Sequence, residues 1–248
     1  MTDDKTVRIF SARACARPLR DAAEIFRKKS GIAVEISQCD RHCASPVAEE
    51  AVEIGANHDF LVEIAEDGIY DLAISGAEYL LDDGEIQGIV KKGERRIIAA
   101  RRSAIVVPHG NPAGIKGLED LTCQDVKIAV SVIDCLKGLW EDVTVRLGLS
   151  EAIRRNISFY ANGCVSLVEA AAAGKVDAAF GWSAFKHLDE DRIDIVEIPP
   201  ERQVWRGTSV GLLSTCTREE EARLFMDFLA SPESVACYER YGWVKSRP

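Results

Sequence analysis

The chain has 248 residues, 47% of them hydrophobic, and a formal net charge of -9 from 31 Lys and Arg against 40 Asp and Glu. That length supports a substantial core, arranged as one large domain or two of ordinary size. Lys and Arg are spread singly or in pairs among acidic neighbours, so no basic stripe exists to meet a nucleic-acid backbone; a small anion answers to local backbone amides instead and is not excluded by net charge.

The opening Met1-Thr2-Asp3-Asp4-Lys5 runs into a short apolar segment with no signal-peptide pattern, and no uninterrupted apolar stretch approaches bilayer length. The expectation is a cytoplasmic chain without membrane insertion, the alternative being a periplasmic or extracellular protein whose leader was removed. The eight cysteines are Cys15, Cys39, Cys43, Cys123, Cys135, Cys164, Cys216 and Cys237. Disulfides chiefly serve small domains that lack a core, so in a chain of this size thiol and metal-ligand roles gain weight.

In chain order, Val7 to Ala12 reads as a strand. Arg17 to Ser30 follows with Leu19, Ala22, Ala23 and Phe26 at helical spacing, ending at Gly31. Ile32 to Ser37 alternates as a second strand and leads into the polar segment Gln38 to Pro46, before a helical stretch from Val47. This βαβ unit implies a parallel sheet. Tyr70 to Ser75 is a third strand and Ala77 to Val90 a helix. Arg96 to Pro108 is β-prone but too long for one ordinary strand, which predicts a crossing between lobes.

After the Gly/Pro-rich turn His109 to Gly117 the pattern restarts. Strands are predicted at Val126 to Val132, Ile157 to Tyr160 and Val176 to Gly181, with helices at Leu136 to Leu147 and Val165 to Ala173. The return runs through Ile193 to Ile198 and Ser209 to Ser214, and helices at Arg218 to Ala230 and Pro232 to Tyr241 close the chain. The expected lobes are residues 1–100 plus 205–248 and residues 101–204.

Several segments resemble the extracellular solute-binding family that includes the molybdate- and tungstate-binding proteins of ABC transporters. Val7-Arg8-Ile9-Phe10-Ser11-Ala12, with the helix ending Phe26-Arg27-Lys28-Lys29-Ser30-Gly31-Ile32, is similar to its opening strand, ligand loop and first helix. Asp71 to Ala77 resembles its third strand and cleft loop, and Val106 to Pro112 with Gly117 to Leu121 its crossover turn. Gly174 to Trp182 resembles the strand entering the cleft from the second lobe, and Phe225 to Glu233 through Tyr241-Gly242-Trp243 the terminal helices. The resemblance implies an α/β protein of the type II periplasmic-binding-protein fold, two Rossmann-like lobes joined by a double-crossing hinge. Ligand loops would lie at the carboxyl ends of strands, as in open α/β sheets generally.

Five cysteines fall in those expected loops: Cys15, Cys39 and Cys43 from one lobe, Cys135 and Cys164 from the other. An oxyanion site wants hydrogen-bond donors, whereas thiolates suit zinc, Cu(I) and iron-sulfur clusters. One tetrahedral zinc needs only four ligands, so five thiols favour an iron-sulfur cluster, with zinc or molybdate/tungstate as alternatives. Buried, inert thiols are the competing reading, and it is the one taken for Cys123, Cys216 and Cys237. His42 is either a further ligand or a solvated loop residue. Arg13, Arg17 and Arg41 flank the loops and could balance a thiolate cluster or bind an anion directly. Ser11, Ser37, Ser45, Ser75 and Ser131 supply the donors an oxyanion would use, and Trp182 either walls the site or packs in the lobe core.

Two functions compete: a carrier, sensor or storage protein for a thiophilic metal or cluster, with a metallocluster-assembly partner, or an oxyanion-binding component of a transporter. No Ser-His-Asp order, phosphate loop or HExxH is present, and His42, His58, His109 and His187 are too scattered to nominate a base. A non-enzymatic binding role for a small inorganic ligand is the expectation, with redox chemistry at a bound cluster left open.

Overall fold

The computed structural model describes residues 5–39 and 60–245. These divide into two compact units, the first made of residues 5–39, 60–100 and 206–245 and the second of residues 101–205. The chain therefore passes from one unit to the other between Ala100 and Arg101 and returns between Trp205 and Arg206. The Cys43, His42 and Arg41 assignments, Ser45, His58 and the helix expected from Val47 lie outside the described residues.

In the first unit, β1 (Thr6–Ser11) is flanked by β2 (Ala33–Gln38) and β3 (Leu72–Ser75), both parallel to it. The connection between β1 and β2 is α1 (Ala16–Ser30), whose buried stripe of Leu19, Ala22, Ala23 and Phe26 packs on the sheet side. Its last turn carries Arg27, Lys28 and Lys29, which complement the negative end of the helix dipole, and Gly31 at φ +73° ends it in a left-handed cap. Two helices, α2 (Phe60–Asp67) and α3 (Glu78–Ile86), bracket β3 in the chain. The long strand β4 (Val90–Pro108) follows.

The return strand β9 (Trp205–Leu213) lies antiparallel to β3, giving the order β2-β1-β3-β9. The terminal helices α7 (Glu219–Leu229) and α8 (Pro232–Glu239) bring Phe225 and Phe228 against Phe26, with ring centroids 4.8 and 5.4 Å apart. Ser231 caps α8 by accepting from the Ser234 amide, and Pro232 occupies its first turn, where a missing N–H costs nothing.

The second unit is built around β5 (Ile128–Val130), which is parallel to β6 (Ile157–Tyr160) on one side and β7 (Ala178–Trp182) on the other. The far half of β4 lies antiparallel to β7 and to β8 (Ile193–Glu197). The helices α4 (Leu139–Thr144), α5 (Ser150–Asn156) and α6 (Gly163–Ala172) join the strands.

Three sequence expectations change. The helix expected over Ala77 to Val90 stops at Ile86, because Gly88 turns the chain at φ +74°, and Val90 already begins β4. The helix expected from Leu136 is interrupted: Asp134–Leu136 form a 3-10 turn, Gly138 takes φ +71°, and α4 begins only at Leu139. The short helices α2 and α5 were not anticipated, having too few turns for a periodic pattern to stand out.

Candidate functional site

Among the described residues, β1, β3, β5, β6 and β7 end at short turns that lead into helical segments, and the candidate residues collect at these carboxyl edges. In the first unit β1 ends at Ser11, buried, whose hydroxyl donates to the Ala12 carbonyl at 3.0 Å. Ser75, at the end of β3, donates to the Ala77 carbonyl at 2.7 Å. Both hydroxyls thus hold the turns of their own loops, and the Ala12 amide bonds the Ile74 carbonyl at 2.9 Å, tying the two loops together.

The cysteines of this edge face inward. Arg13, in the 3-10 turn Arg13–Cys15, donates its backbone amide to the Cys39 sulfur at 3.3 Å. Cys39 is buried, and so is Cys15, which lies close enough to Tyr238 that the two would repel if both were ionised. Burial pushes the Tyr238 hydroxyl well above its ordinary range.

The second unit differs in chemistry. Trp182 is the last residue of β7 and fully buried, and the Arg101 guanidinium, also fully buried, sits 5.0 Å from its ring centroid. That distance suits a cation–π contact. Arg101 also reaches the thiol of Cys135, which lies in the 3-10 turn Asp134–Leu136 after β5. Cys164, in the first turn of α6 after β6, is near enough for its charge to act on the same thiol. Burial dominates over the Arg101 charge and holds Cys135 above the usual thiol range, so it is a neutral thiol at physiological pH.

Both cysteines follow a residue with positive φ: Asp134 at +46° and Gly163 at +87°. For Asp134 this is the left-handed region, costly for a side chain but tolerated best by Asp and Asn, and it turns Cys135 back toward the sheet edge. Gly181 in β7 has no room for a β-carbon, which would stand 2.8 Å from Phe185 and 2.9 Å from Val106. Only a glycine lets β7 lie this close to its neighbours and deliver Trp182 and Ser183 to the edge.

Two donors at this edge have no hydrogen-bond partner among the described residues, namely Trp182 Nε1 and Ser183 Oγ. Neither Arg101 nor Ser183 was anticipated from the sequence. The available signal for Arg101 was a pair of arginines interrupting an apolar β-run: Arg102 meets Glu197 at the surface while Arg101 turns inward. Ser131, at the end of β5, accepts from the Ile133 amide at 3.4 Å.

The remaining candidates separate. Cys123 is exposed, which corrects the expectation of a buried hydrophobe: it follows the 3-10 turn Asp120–Thr122 in an extended conformation, where none of the described residues covers it. Cys216 and Cys237 are buried as expected; burial pushes the Cys216 thiol up to about 11. His109 and His187 lie against Asp194 and Glu190. Among the described residues no group of three or more His, Cys, Asp or Glu side chains could hold a metal ion, and no helix is long and apolar enough to cross a membrane.

The sequence profile of the bacterial extracellular solute-binding protein family matches residues 7–244. The chain belongs to that family. This solute-binding protein is 23% identical over 217 residues to YvgL of Bacillus subtilis (strain 168), named as an ABC transporter substrate-binding lipoprotein, covering 82% of this chain and 74% of YvgL.

Its fold is shared with solved structures. PEB3 with bound L-phospholactate, a protein of Campylobacter jejuni, aligns at a TM-score of 0.78 with 21% identity over 97% of this chain and 100% of PEB3. The periplasmic molybdate-binding protein of Azotobacter vinelandii aligns at 0.73 with 19% identity, over 96% and 98% of the two chains. The type II periplasmic-binding-protein fold expected from the sequence is therefore the fold of this chain. The family's extracellular description favours the exported alternative over the cytoplasmic expectation.

Proposed function

We propose that this solute-binding protein is the binding component of an ABC-type importer, that it works outside the cytoplasm, and that its cargo is a small oxyanion of the molybdate, tungstate or sulfate kind. The observation that carries this reading is the pair of buried donors, Trp182 Nε1 and Ser183 Oγ, at the carboxyl end of β7 without partners among the described residues. Leaving a buried donor unsatisfied costs about 1–3 kcal/mol, and an oxyanion supplies the acceptors that offset that cost. The location agrees with the general placement of ligands at the carboxyl ends of strands in open α/β sheets. The molybdate-binding neighbour supports the anion class, and the resemblance to a transporter lipoprotein supports a membrane permease as partner.

Titration calorimetry with molybdate, tungstate, sulfate and L-phospholactate tests the reading. Saturable heat at one site per chain is expected from at least one of them; no heat and no thermal shift from any would sink it.

A second reading is favoured by one specific feature, the approach of Cys164 to Cys135 at the same edge. Under it the cargo is a thiophilic metal or an iron-sulfur cluster, with zinc as the simpler guest and a metallocluster-assembly protein as partner. A Cys135 thiol raised by burial fits that chemistry less well than a thiolate does. Iron, sulfide, zinc and molybdenum quantified on one anaerobically purified sample separate the two readings. Neither reading assigns a catalytic step to the protein.

A further inference from the structure

The chain leaves its first unit between Ala100 and Arg101 and returns between Trp205 and Arg206. In the type II periplasmic-binding-protein fold these crossings are the hinge, and a hinge works through the few residues that absorb the change in φ and ψ. Which residues those are depends on where the two strands are fastened. In the first unit β4 is fastened at its crossing residue: Ala100 donates its amide to the Val244 carbonyl at 2.8 Å and accepts from the Val244 amide at 2.9 Å. β9 is fastened just after its return. There the Gly207 amide donates to Glu78 Oε2 at 2.6 Å, and the buried Trp243 donates its Nε1–H to the buried Thr208 hydroxyl at 2.9 Å. Two consecutive residues near the end of the chain, Trp243 and Val244, thus hold both crossing strands.

The segment that holds them is itself fixed. Gly242, at φ +84°, turns the chain after α8; its amide donates to the Glu239 carbonyl at 3.1 Å and the Trp243 amide to the Tyr238 carbonyl at 3.2 Å. These are the two bonds of a Schellman motif. The apolar contact that commonly accompanies it is the edge-on meeting of the Trp243 and Tyr238 rings, with centroids 5.9 Å apart and planes at 81°. In the second unit Ser103 does the corresponding work: its amide donates to the Val204 carbonyl at 2.8 Å, and its hydroxyl accepts from the Val204 amide at 2.9 Å. The fastened positions bracket two residues in each strand, Arg101–Arg102 and Trp205–Arg206.

We propose that Trp243 and Val244 form a clasp across the two crossing strands, which confines hinge bending to Arg101–Arg102 and Trp205–Arg206 and thereby slows release of the bound solute. Fastening removes conformations from the solute-free ensemble, so less entropy is lost when solute binds. Trp243 is a positioning residue, acting through the strands it fastens. The clasp stands on the geometry of the first unit; its effect on release rests on the binding function proposed above.

Amide hydrogen exchange on the full chain without solute tests the clasp, with Trp243→Phe and Thr208→Val each deleting the side-chain bond. The Ala100 and Val244 amides are expected to exchange about 5-fold faster in both variants, while the β1 amides of Ile9 and Phe10 keep their wild-type protection. Faster exchange throughout the first unit, or unchanged exchange at Ala100 and Val244, would overturn the clasp. Should Trp243→Phe not fold, Thr208→Val carries the test, since it removes one hydroxyl and nearly keeps the volume.

Release is followed by stopped flow with whichever of molybdate, tungstate, sulfate and L-phospholactate the wild type binds. Both variants are expected to release it about 5-fold faster, and the double variant no faster than either single one, because both changes break the same bond. Phe228→Leu, which loosens the packing of α7 on Phe26, is expected to lower the thermal midpoint and leave the release rate unchanged. A release rate that follows the thermal midpoint in all these variants would reduce Trp243 to a stability role and refute the proposal. Absence of binding to all four anions would remove the oxyanion reading and with it the effect on release, and the exchange result would still decide the clasp.

Discussion

The carboxyl edges of the two units are built from similar parts and finished differently. In the first unit the hydroxyls of Ser11 and Ser75 donate to the carbonyls of their own loops, and Cys39 accepts a backbone amide, so among the described residues these side chains are engaged locally. In the second, Arg101, Trp182 Nε1 and Ser183 Oγ gather as donors at the ends of β5 to β7, and two of these have no partner among the described residues. A serine at the end of a strand is therefore not by itself evidence of a binding role. What separates a loop-holding hydroxyl from a ligand-seeking one is where its hydrogen bond goes.

The largest effect is expected from Trp182→Ala. It removes a fully buried ring together with the support of Arg101, and it should cost about 3–5 kcal/mol of stability, measured by urea unfolding. A loss under 1 kcal/mol would mean that the second unit's edge is not held by this stack.

The serines provide the direct comparison. Ser75→Ala, which deletes a buried hydrogen bond to Ala77, should lower stability by about 1 kcal/mol and leave anion affinity unchanged. Ser183→Ala should do the reverse, keeping the unfolding midpoint and lowering affinity about 5-fold. The opposite pattern would exchange the roles of the two edges.

The smallest effect is shared by both units. Burial raises the Cys216 thiol from 9.0 to about 11 in the first unit and Cys135 in the same direction in the second. A group whose folded pKa lies above its unfolded value contributes stability that is fully present below the unfolded pKa and lost as pH rises through the folded one. The thermal midpoint should therefore decline between pH 9 and 11, and Cys216→Ala should flatten part of that decline. A midpoint independent of pH over this window would show that these thiols are not shielded as the structure has them.

Much of the fold was legible from local pattern. The βαβ opening, the stripe of Leu19, Ala22, Ala23 and Phe26, the glycine stop at Gly31 and the strand at Ile157 to Tyr160 follow from periodicity and turn chemistry, which act over a few residues and survive in the folded chain. Helices of two turns such as α2 and α5 escaped because so few residues carry no measurable period.

The candidate site was legible only in part. Sequence order placed Cys15, Cys39, Cys135, Cys164, Ser11, Ser75 and Trp182 at strand ends, because an α/β chain puts its loops there by construction. It could not tell that Cys135 is held neutral by burial, that Ser75 is occupied by its own turn, or that Cys123 is exposed. Nor could it single out Arg101, since adjacent arginines on a strand point to opposite faces and only the packing of β4 against β7 decides which of the two is buried. Element type is a matter of neighbours in sequence; burial, protonation and hydrogen-bond partners are set by neighbours in space, which strands distant in the chain supply.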